Sequence, residues 1–206
     1  FDDYGKGLLP LSFSHLNEFA FYRERWALRR IFGYEFPTSA PAIRGQVVES
    51  GINMFLNGIP IEEASEKMIA EYDANCLEIT DPKVDDERNN LIPLLELGTK
   101  TFQEYAYRWT LLNYQKKVEV EIDGIPFIGY TDFHFEDKNT KEDFFIDLKT
   151  SKLLPQKISI SHAMQQAIYQ KATNAKQILW YLKNPTKTKD AEYIACLLYT
   201  SPSPRD

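Results

Sequence analysis

The sequence predicts an α/β domain in which helices pack against a single sheet. Three observations support this fold class. Apolar residues recur at helical spacing through roughly the first half of the chain. From Val118 onwards, apolar and polar residues alternate with period two, as they do in strands. After about Ser161 the helical spacing returns, and a short apolar strand follows.

The composition is that of a globular protein. A length of 206 residues suits one domain or at most two, and 43% hydrophobic residues suffice for a buried core. The net charge of -6 is unusual for a DNA-binding protein, but it does not exclude one, because binding depends on where the charges lie. No apolar run is long enough to span a bilayer, so we expect no membrane association. Two cysteines, Cys76 and Cys196, cannot form a disulfide framework and favour a reducing, cytoplasmic setting.

Helices dominate the first part of the chain. Ser14 is a plausible N-cap for the first helix, and Gly33 and Pro37 end it. In the second helix, Val48 and Ile52 fall on one apolar stripe. The predicted helices cover residues 15–32, 42–56, 61–75 and 91–114, and residues 81–90 form a charged loop.

Strands follow. The segment Val118–Ile122 alternates strictly, and Asp123-Gly124 is a strong hairpin signal. The sequence therefore predicts a three-stranded antiparallel meander, then a helix and a strand. These elements cover residues 118–122, 125–136 and 144–150, the helix 161–173, the strand 178–182 and a further strand from residue 192.

The second hairpin predicts a pairing register. A turn centred on Asn139-Thr140 places Phe133 opposite Ile146 and Phe135 opposite Phe144 on one apolar face. Because Asn-Thr is a weaker turn signal than Asn-Gly, a shift of one residue stays open at this stage.

In that register, the other face carries charge. Asp132 lies opposite Asp147, and Lys149 follows on the same face. Opposed carboxylates repel unless a cation joins them, and a hard divalent cation takes oxygen ligands of this kind. The Lys149 ammonium can hold a water or balance phosphate charge. The three residues are therefore candidates for metal-assisted phosphodiester hydrolysis.

Several short motifs together resemble the PD-(D/E)XK nucleases of the RecB type and their phage exonuclease-like relatives. The motifs occur in the order of that family, and each one alone is weak. They are the opening Leu11–Leu16, the helical Arg44-Gly45 to Glu49, the GxxD of Gly129–Asp132, the DxKT of Asp147–Thr150 and the QxxxY of Gln165–Tyr169.

This resemblance implies an architecture. It implies a restriction-endonuclease-like core, made of a helix, a three-stranded antiparallel meander, a helix and a strand, with an added N-terminal helical region. We accordingly expect one nuclease domain over residues 1–195, mainly helical over 1–115 and containing the sheet over 116–195.

The resemblance also implies roles for site residues. Glu49, Asp132 and Asp147 would ligate Mg²⁺ or Mn²⁺, with the Leu148 backbone carbonyl as a further ligand. Lys149 would position the attacking water. The remaining pair, Gln165 and Tyr169, are four residues apart on one helix face, and would orient DNA or support the metal ligands.

The chain departs from the family pattern at two places. Many RecB-type members have His where this chain has Glu49, although relatives of phage lambda exonuclease use Glu there. Many members related to the CRISPR adaptation nucleases begin an iron–sulfur site with Cys-Pro, where this chain has Tyr22-Arg23. We therefore expect no iron–sulfur cluster.

The last eleven residues, Cys196–Asp206, match the translation of a transposase sequencing adapter at every codon. We interpret them as an artefact and expect that the natural protein continues past Ala195, so that the chain is truncated at its C-terminal end.

The expected function is that of a metal-dependent DNA nuclease, an exonuclease, acting in recombination, repair or phage DNA processing, with DNA and recombination or repair proteins as partners. Two alternatives stay open, a non-catalytic DNA-binding or scaffold module that keeps the fold and an unrelated structural α/β protein.

The arginines on the first helix have two interpretations: they bind phosphates, or they form a solvated helix face. They are Arg23, Arg25, Arg29 and Arg30.

Overall fold

Helices precede a five-stranded sheet in the computed structural model, which describes residues 10–185 and 192–198. Residues 199–206, and with them most of the predicted adapter segment, lie outside the described residues. The helices are α1 (Phe13–Phe21), α2 (Arg23–Arg30), α3 (Ala40–Leu56), α4 (Ile61–Cys76), α5 (Val84–Asn89), α6 (Leu91–Tyr105) and α7 (Ile160–Thr173). The strands are β1 (Trp109–Ile122), β2 (Ile125–Asp137), β3 (Asp143–Ser151), β4 (Lys176–Lys183) and β5 (Glu192–Leu198).

The sheet keeps the strands in chain order, β1-β2-β3-β4-β5. Strands β1, β2 and β3 form the predicted antiparallel meander. Helix α7 then carries the chain across to β4, which pairs parallel to β3 because a crossover returns the chain to the same end of the sheet. The last strand, β5, pairs antiparallel to β4. The predicted α/β architecture is confirmed.

The register of the second hairpin is also confirmed. Phe133 pairs with Ile146, and Phe135 pairs with Phe144. The Asp137 carboxylate stabilises the turn by accepting a backbone hydrogen bond from Asn139 at 2.9 Å.

The core lies between the sheet and the helices α3, α4 and α6. The Phe102 ring on α6 lies 5.4 Å from that of Phe133 and 4.8 Å from that of Trp180. Each such side chain contributes roughly 1.5–3 kcal/mol through burial. Gly98 lets α6 approach α3, because a Cβ there would lie 2.4 Å from Ile52 Cδ1.

The N-terminal helix departs from its prediction. Residues 15–32 form two helices instead of one, since Tyr22 leaves the helical conformation at φ -143 and ψ 58. The first helix is capped by Ser12 instead of Ser14, and the Ser12 hydroxyl accepts from the His15 amide at 3.3 Å. Phe19 and Trp26 meet edge to face at 5.0 Å, and this contact packs α1 against α2.

Two further predictions were wrong. The charged loop over residues 81–90 contains the helix α5, which is held by the fully buried Glu87. The helix predicted to reach residue 114 ends at Tyr105, and β1 begins at Trp109. Trp109 stacks on Tyr105 at 4.2 Å, and a bulge between Leu111 and Asn113 interrupts the strand periodicity.

Candidate active site

Asp132 and Asp147 lie where the second hairpin stops pairing. The register pairs of β2 and β3 run from Glu136 and Asp143 to Phe133 and Ile146, so both aspartates are the next residue along. Beyond that point, Asp132 Oδ2 accepts a hydrogen bond from the Leu148 backbone amide at 2.8 Å. Both side chains are buried. The hairpin thus directs two carboxylates into one interior position.

Burial and mutual repulsion define the charge state of these groups. Burial raises the pKa of Asp132 well above its usual range, and the negative charges of Asp147 and Glu49 raise it further. The ammonium of Lys149 contacts Asp147 Oδ2. Burial is the largest influence on Lys149 and acts to lower its pKa, but Asp147 and Asp132 together outweigh it, so the pKa is raised. Lys149 is therefore a fixed cation at neutral pH.

Glu49 on α3 belongs to the same charge cluster. Burial raises the pKa of Glu49 to about 7, while hydrogen bonds from Gln115 and Tyr114 and the charge of Lys149 act in the opposite direction. The charge of Asp147 raises the pKa as well. The Gln115 side-chain amide donates to Glu49 Oε1. This hydrogen bond joins the helix motif to strand β1.

The chemistry of these donors fits a divalent cation. Asp147 Oδ2 forms an ion pair with Lys149, whereas the buried Oδ1 has no hydrogen-bond partner among the described residues. Carboxylate oxygens, one of them buried without a partner, are the ligand type that Mg²⁺ and Mn²⁺ take. Among the described residues, no three His, Cys, Asp or Glu side chains are grouped closely enough to hold a metal ion as they stand. Internal partners engage the acids instead, and a cation would replace them.

A buried arginine fixes α3 on β3. Arg44 Nη2 donates to the Thr150 carbonyl at 3.3 Å and to its hydroxyl at 3.1 Å, while Nη1 contacts Glu87. Gly45 permits the approach, since a Cβ there would lie 3.3 Å from Thr150 Oγ1. The motifs contain Arg44, Gly45 and Thr150, but the sequence assigned them no role. The partner of Arg44, Glu87, lies in the segment predicted to be a charged loop.

The QxxxY residues lie against the first strand motif. Gln165 Nε2 lies 3.4 Å from the Tyr169 hydroxyl. The Tyr169 ring covers Gly129, where a Cβ would lie 2.5 Å from Cε1. Burial raises the pKa of Tyr169, and the charges of Asp147 and Asp132 add to the effect. Tyr169 thus packs on β2 at the GxxD motif that ends in Asp132, and Gln165 contacts the Tyr169 hydroxyl.

From the sequence, His162 either shares the helix face of Gln165 or serves the start of the helix, and it lies near the start of α7. Its Nδ1 lies 2.6 Å from the Tyr181 hydroxyl. Burial lowers the pKa of His162, and the charge of Lys149 lowers it further. The neutral imidazole is therefore a neighbour of the charge cluster. The helical spacing to Gln165 is the sequence signal that points to it.

Comparison with known proteins identifies the family. The model of the PD-(D/E)XK nuclease superfamily matches residues 10–201. The chain belongs to this superfamily. Nucleases of the PD-(D/E)XK superfamily use divalent metals, typically Mg²⁺ or Mn²⁺, and the family implies DNA as substrate. The fold is accordingly a restriction-endonuclease-like α/β core with N-terminal helices.

Comparisons with solved structures and with curated proteins do not refine the family assignment of this PD-(D/E)XK protein. A solved structure titled "Crystal structure of SSO0001" is similar over 75% of this chain and 78% of that chain, with 19% identity and a TM-score of 0.35. The comparison with curated proteins gave no match. No helix in the described part of the chain has the length and apolar character needed to cross a membrane.

Proposed function

We propose that this chain is a catalytically active, Mg²⁺- or Mn²⁺-dependent deoxyribonuclease of the RecB-type, phage exonuclease-like branch. The observation that carries this proposal is the pair of buried carboxylates, Asp132 and Asp147, with the partly exposed Lys149 and Glu49 as their charged neighbours. A buried group of acids beside one lysine costs stability, and a cation relieves that cost. Unfavourable charge arrangements of this kind cluster at catalytic sites.

Three carboxylates would hold the cation, namely Glu49, Asp132 and Asp147, with the Leu148 carbonyl as a further ligand. The bound cation would supply Lewis-acid activation of water and phosphate. Lys149, which contacts Asp147, would position the attacking water or balance the charge of a phosphate. Tyr169, with Gln165 behind it, orients the substrate beside the acids.

The finer biological assignments rest on the same motifs. We propose exonuclease action in recombination, repair or phage DNA processing, in the cytoplasm, with recombination or repair proteins as partners. The Tyr22-Arg23 pair, where iron–sulfur relatives have Cys-Pro, supports a protein without such a cluster. We also propose that residues 1–195 form a single nuclease domain and that Cys196–Asp206 derive from an adapter.

Cleavage of labelled linear DNA by the purified chain tests the function. We expect products with Mg²⁺ or Mn²⁺ and none with EDTA. End-labelled substrate would release mononucleotides if the enzyme is an exonuclease. Lys149→Ala should abolish turnover, whereas Lys141→Ala, at the exposed turn of the same hairpin, should not. Binding of DNA by the parent without any cleavage would favour the alternative of a non-catalytic module.

A further inference from the structure

A glutamine on α7 is buried without a hydrogen-bond partner. Gln166 has 1% of its surface exposed, and neither its amide nitrogen nor its amide oxygen is hydrogen-bonded among the described residues. Burying an unpaired amide costs free energy, so such groups are rare in folded proteins. Where they occur, they hold a water or an ion, or they serve a reaction. Gln166 therefore requires a partner beyond its packing contacts.

Gln166 lies on the face of α7 that contacts the sheet. Residues three or four positions apart share one face of a helix. His162, four residues earlier, contacts the Tyr181 hydroxyl on β4 through Nδ1 at 2.6 Å. The ring of Tyr169, three residues later, covers Gly129 on β2. Gln166 therefore points towards the sheet between these two contacts.

Two hydrogen bonds fix the direction of α7 on β4. The contact of His162 with Tyr181 joins the start of the helix to the end of the strand. At the other end, Gln177 Nε2 donates to Thr173 Oγ1 at 3.0 Å. Helix α7 therefore runs antiparallel to β4. Side chains two residues apart share one face of a strand, so Leu179, between the two anchored residues of β4, also faces α7.

This arrangement places Gln166 at the level of Asp147. Gln166 lies about 6 Å along the helix from His162. Leu179 lies about 7 Å along the strand from Tyr181, the residue that His162 contacts, so Gln166 and Leu179 are level with each other. Leu179 pairs with Asp147 in the register of β3 and β4. Paired residues of neighbouring strands point to the same face, and the Asp147 carboxylate therefore lies beneath α7.

Asp147 carries an unpaired atom that complements the glutamine amide. Its Oδ2 forms an ion pair with Lys149, whereas the buried Oδ1 has no hydrogen-bond partner among the described residues. We propose that Gln166 is a positioning residue that orients the Asp147 carboxylate for the cation, through one buried water between Nε2 and Oδ1. Proteins hold waters at buried positions with two or more polar partners.

The inference rests on the proposed metal-dependent function and adds a residue at a position where the QxxxY motif requires no particular side chain. Lys149 and Gln166 hold the two oxygens of one carboxylate, which fixes its orientation. Each oxygen keeps a further lone pair for the cation. Groups that orient a metal ligand in this way determine metal affinity without touching the metal.

Metal binding without DNA tests the proposal. Isothermal titration calorimetry would measure the Kd for Mn²⁺ of the parent and of Gln166→Met, which keeps the length of the side chain and removes both hydrogen-bonding groups. We expect Mn²⁺ to bind about 10- to 100-fold more weakly to the variant, and also to Gln166→Leu. Gln103→Met makes the same change at an exposed position of α6 and should bind Mn²⁺ as the parent does. An unchanged Kd in both Gln166 variants would overturn the proposal.

A double-variant cycle separates positioning from packing. Urea unfolding in EDTA of the parent, Gln166→Met, Asp147→Asn and the double variant measures the coupling of the two residues. We expect non-additive effects. Additive effects would overturn the proposal, because a packing role of Gln166 does not depend on the Asp147 carboxylate. Excess Mn²⁺ should restore cleavage by Gln166→Met, with a KM for DNA close to that of the parent. Failure of the proposed function appears separately, as an absence of Mn²⁺ binding and cleavage in the parent, and would overturn this inference with it.

Discussion

Arg44 on α3 binds Thr150 on β3 through one guanidinium nitrogen, which donates to both the carbonyl and the hydroxyl of Thr150. Glu49 lies on the same helix as Arg44, and Lys149 immediately precedes Thr150. The contact therefore sets the distance between the helix that supplies Glu49 and the strand that supplies Asp147 and Lys149. Precise placement of this kind decides catalytic rates.

Thr150→Val tests this positioning role. Valine keeps the shape of threonine but removes the hydroxyl that accepts from Arg44, which should cost about 1 kcal/mol of unfolding free energy. We expect kcat for DNA cleavage to fall while KM changes little, because the substrate contacts are intact. Urea unfolding and steady-state kinetics measure the two effects. An unchanged kcat would show that the contact is only structural, and Thr150→Ser, which keeps the hydroxyl, is the control.

Arg44→Met should be strongly destabilising. It leaves Glu87 fully buried without its guanidinium partner, and such losses are on the order of 3–5 kcal/mol. The double variant Arg44→Met/Glu87→Leu removes both charges and should recover most of the loss. Denaturant unfolding of the two single variants and the double variant gives the coupling energy. Additive losses would contradict a direct pairing of the two charges.

The sequence could predict those parts of the fold that depend on local pattern. The alternation around Phe133 and Phe135 and one turn determine the β2–β3 register, which brings Asp132, Asp147 and Lys149 to one end of the hairpin. Contacts that depend on tertiary burial could not be predicted in this way. Glu87 has the local sequence of a solvated loop, and only its pairing with Arg44 shows that it is buried.

Irregular backbone explains another difference. Strand β1 was partly predicted as helix because the bulge after Leu111 breaks its alternation, and Gln115 adopts a positive φ of 51°. The same irregular stretch carries Gln115 to Glu49. A sequence pattern of period two cannot show such a residue, since the bulge moves side chains between the two faces of the sheet.

Gly129→Ala should disturb the site through Tyr169. An added Cβ would lie 2.5 Å from the Tyr169 ring, which must move away from β2. We expect a loss of about 1–3 kcal/mol, as for other overpacked positions, and reduced cleavage. Thermal unfolding and an activity assay measure these effects. In a Tyr169→Ala background, Gly129→Ala should cause no such loss of unfolding free energy. An equal loss in both backgrounds would show that the added methyl group does not contact the Tyr169 ring.

Stability without metal should depend on Glu49. The pKa of this residue is about 7 when folded against an ordinary 4.5, so between these values the folded state holds a proton that the unfolded chain has lost. The stabilisation that the Glu49 proton gives the folded state is therefore lost as the pH rises from 4.5 through about 7. As the pH rises from about 5 to about 8, the parent should lose unfolding free energy relative to Glu49→Gln.

The comparison of the parent with Glu49→Gln removes the effect of the histidines on stability, which has the opposite dependence on pH. His134 and His162 have lowered pKa values, so they make stability rise with pH below about 6.5, equally in both proteins. Mg²⁺ should raise the unfolding temperature of the parent more at the higher pH, where it competes with no proton. A greater metal effect at the lower pH would contradict the assignment of Glu49 as a ligand.

The C-terminal segment can be trimmed in two steps. Leu197 and Cys196 pair with Ile178 and Leu179 of β4 through backbone hydrogen bonds of β5. Removing residues 199–206 should leave the unfolding temperature unchanged. Removing residues 196–206 should cost little more than the ladder hydrogen bonds, each about 0.5–1.5 kcal/mol. The family match includes residues 196–201, and a loss larger than these ladder hydrogen bonds account for would contradict an adapter origin.

Cleavage of DNA by the parent and Asp147→Asn, measured side by side with DNA binding, tests the metal-dependent mechanism most directly. Asparagine keeps the size of the side chain but removes the charge of a buried carboxylate that is ion-paired with Lys149. We expect Mg²⁺-dependent cleavage by the parent, a loss of more than about 100-fold in the variant, and DNA binding within a few-fold of the parent. Equal cleavage by both proteins, or cleavage by the parent in EDTA, would contradict the mechanism.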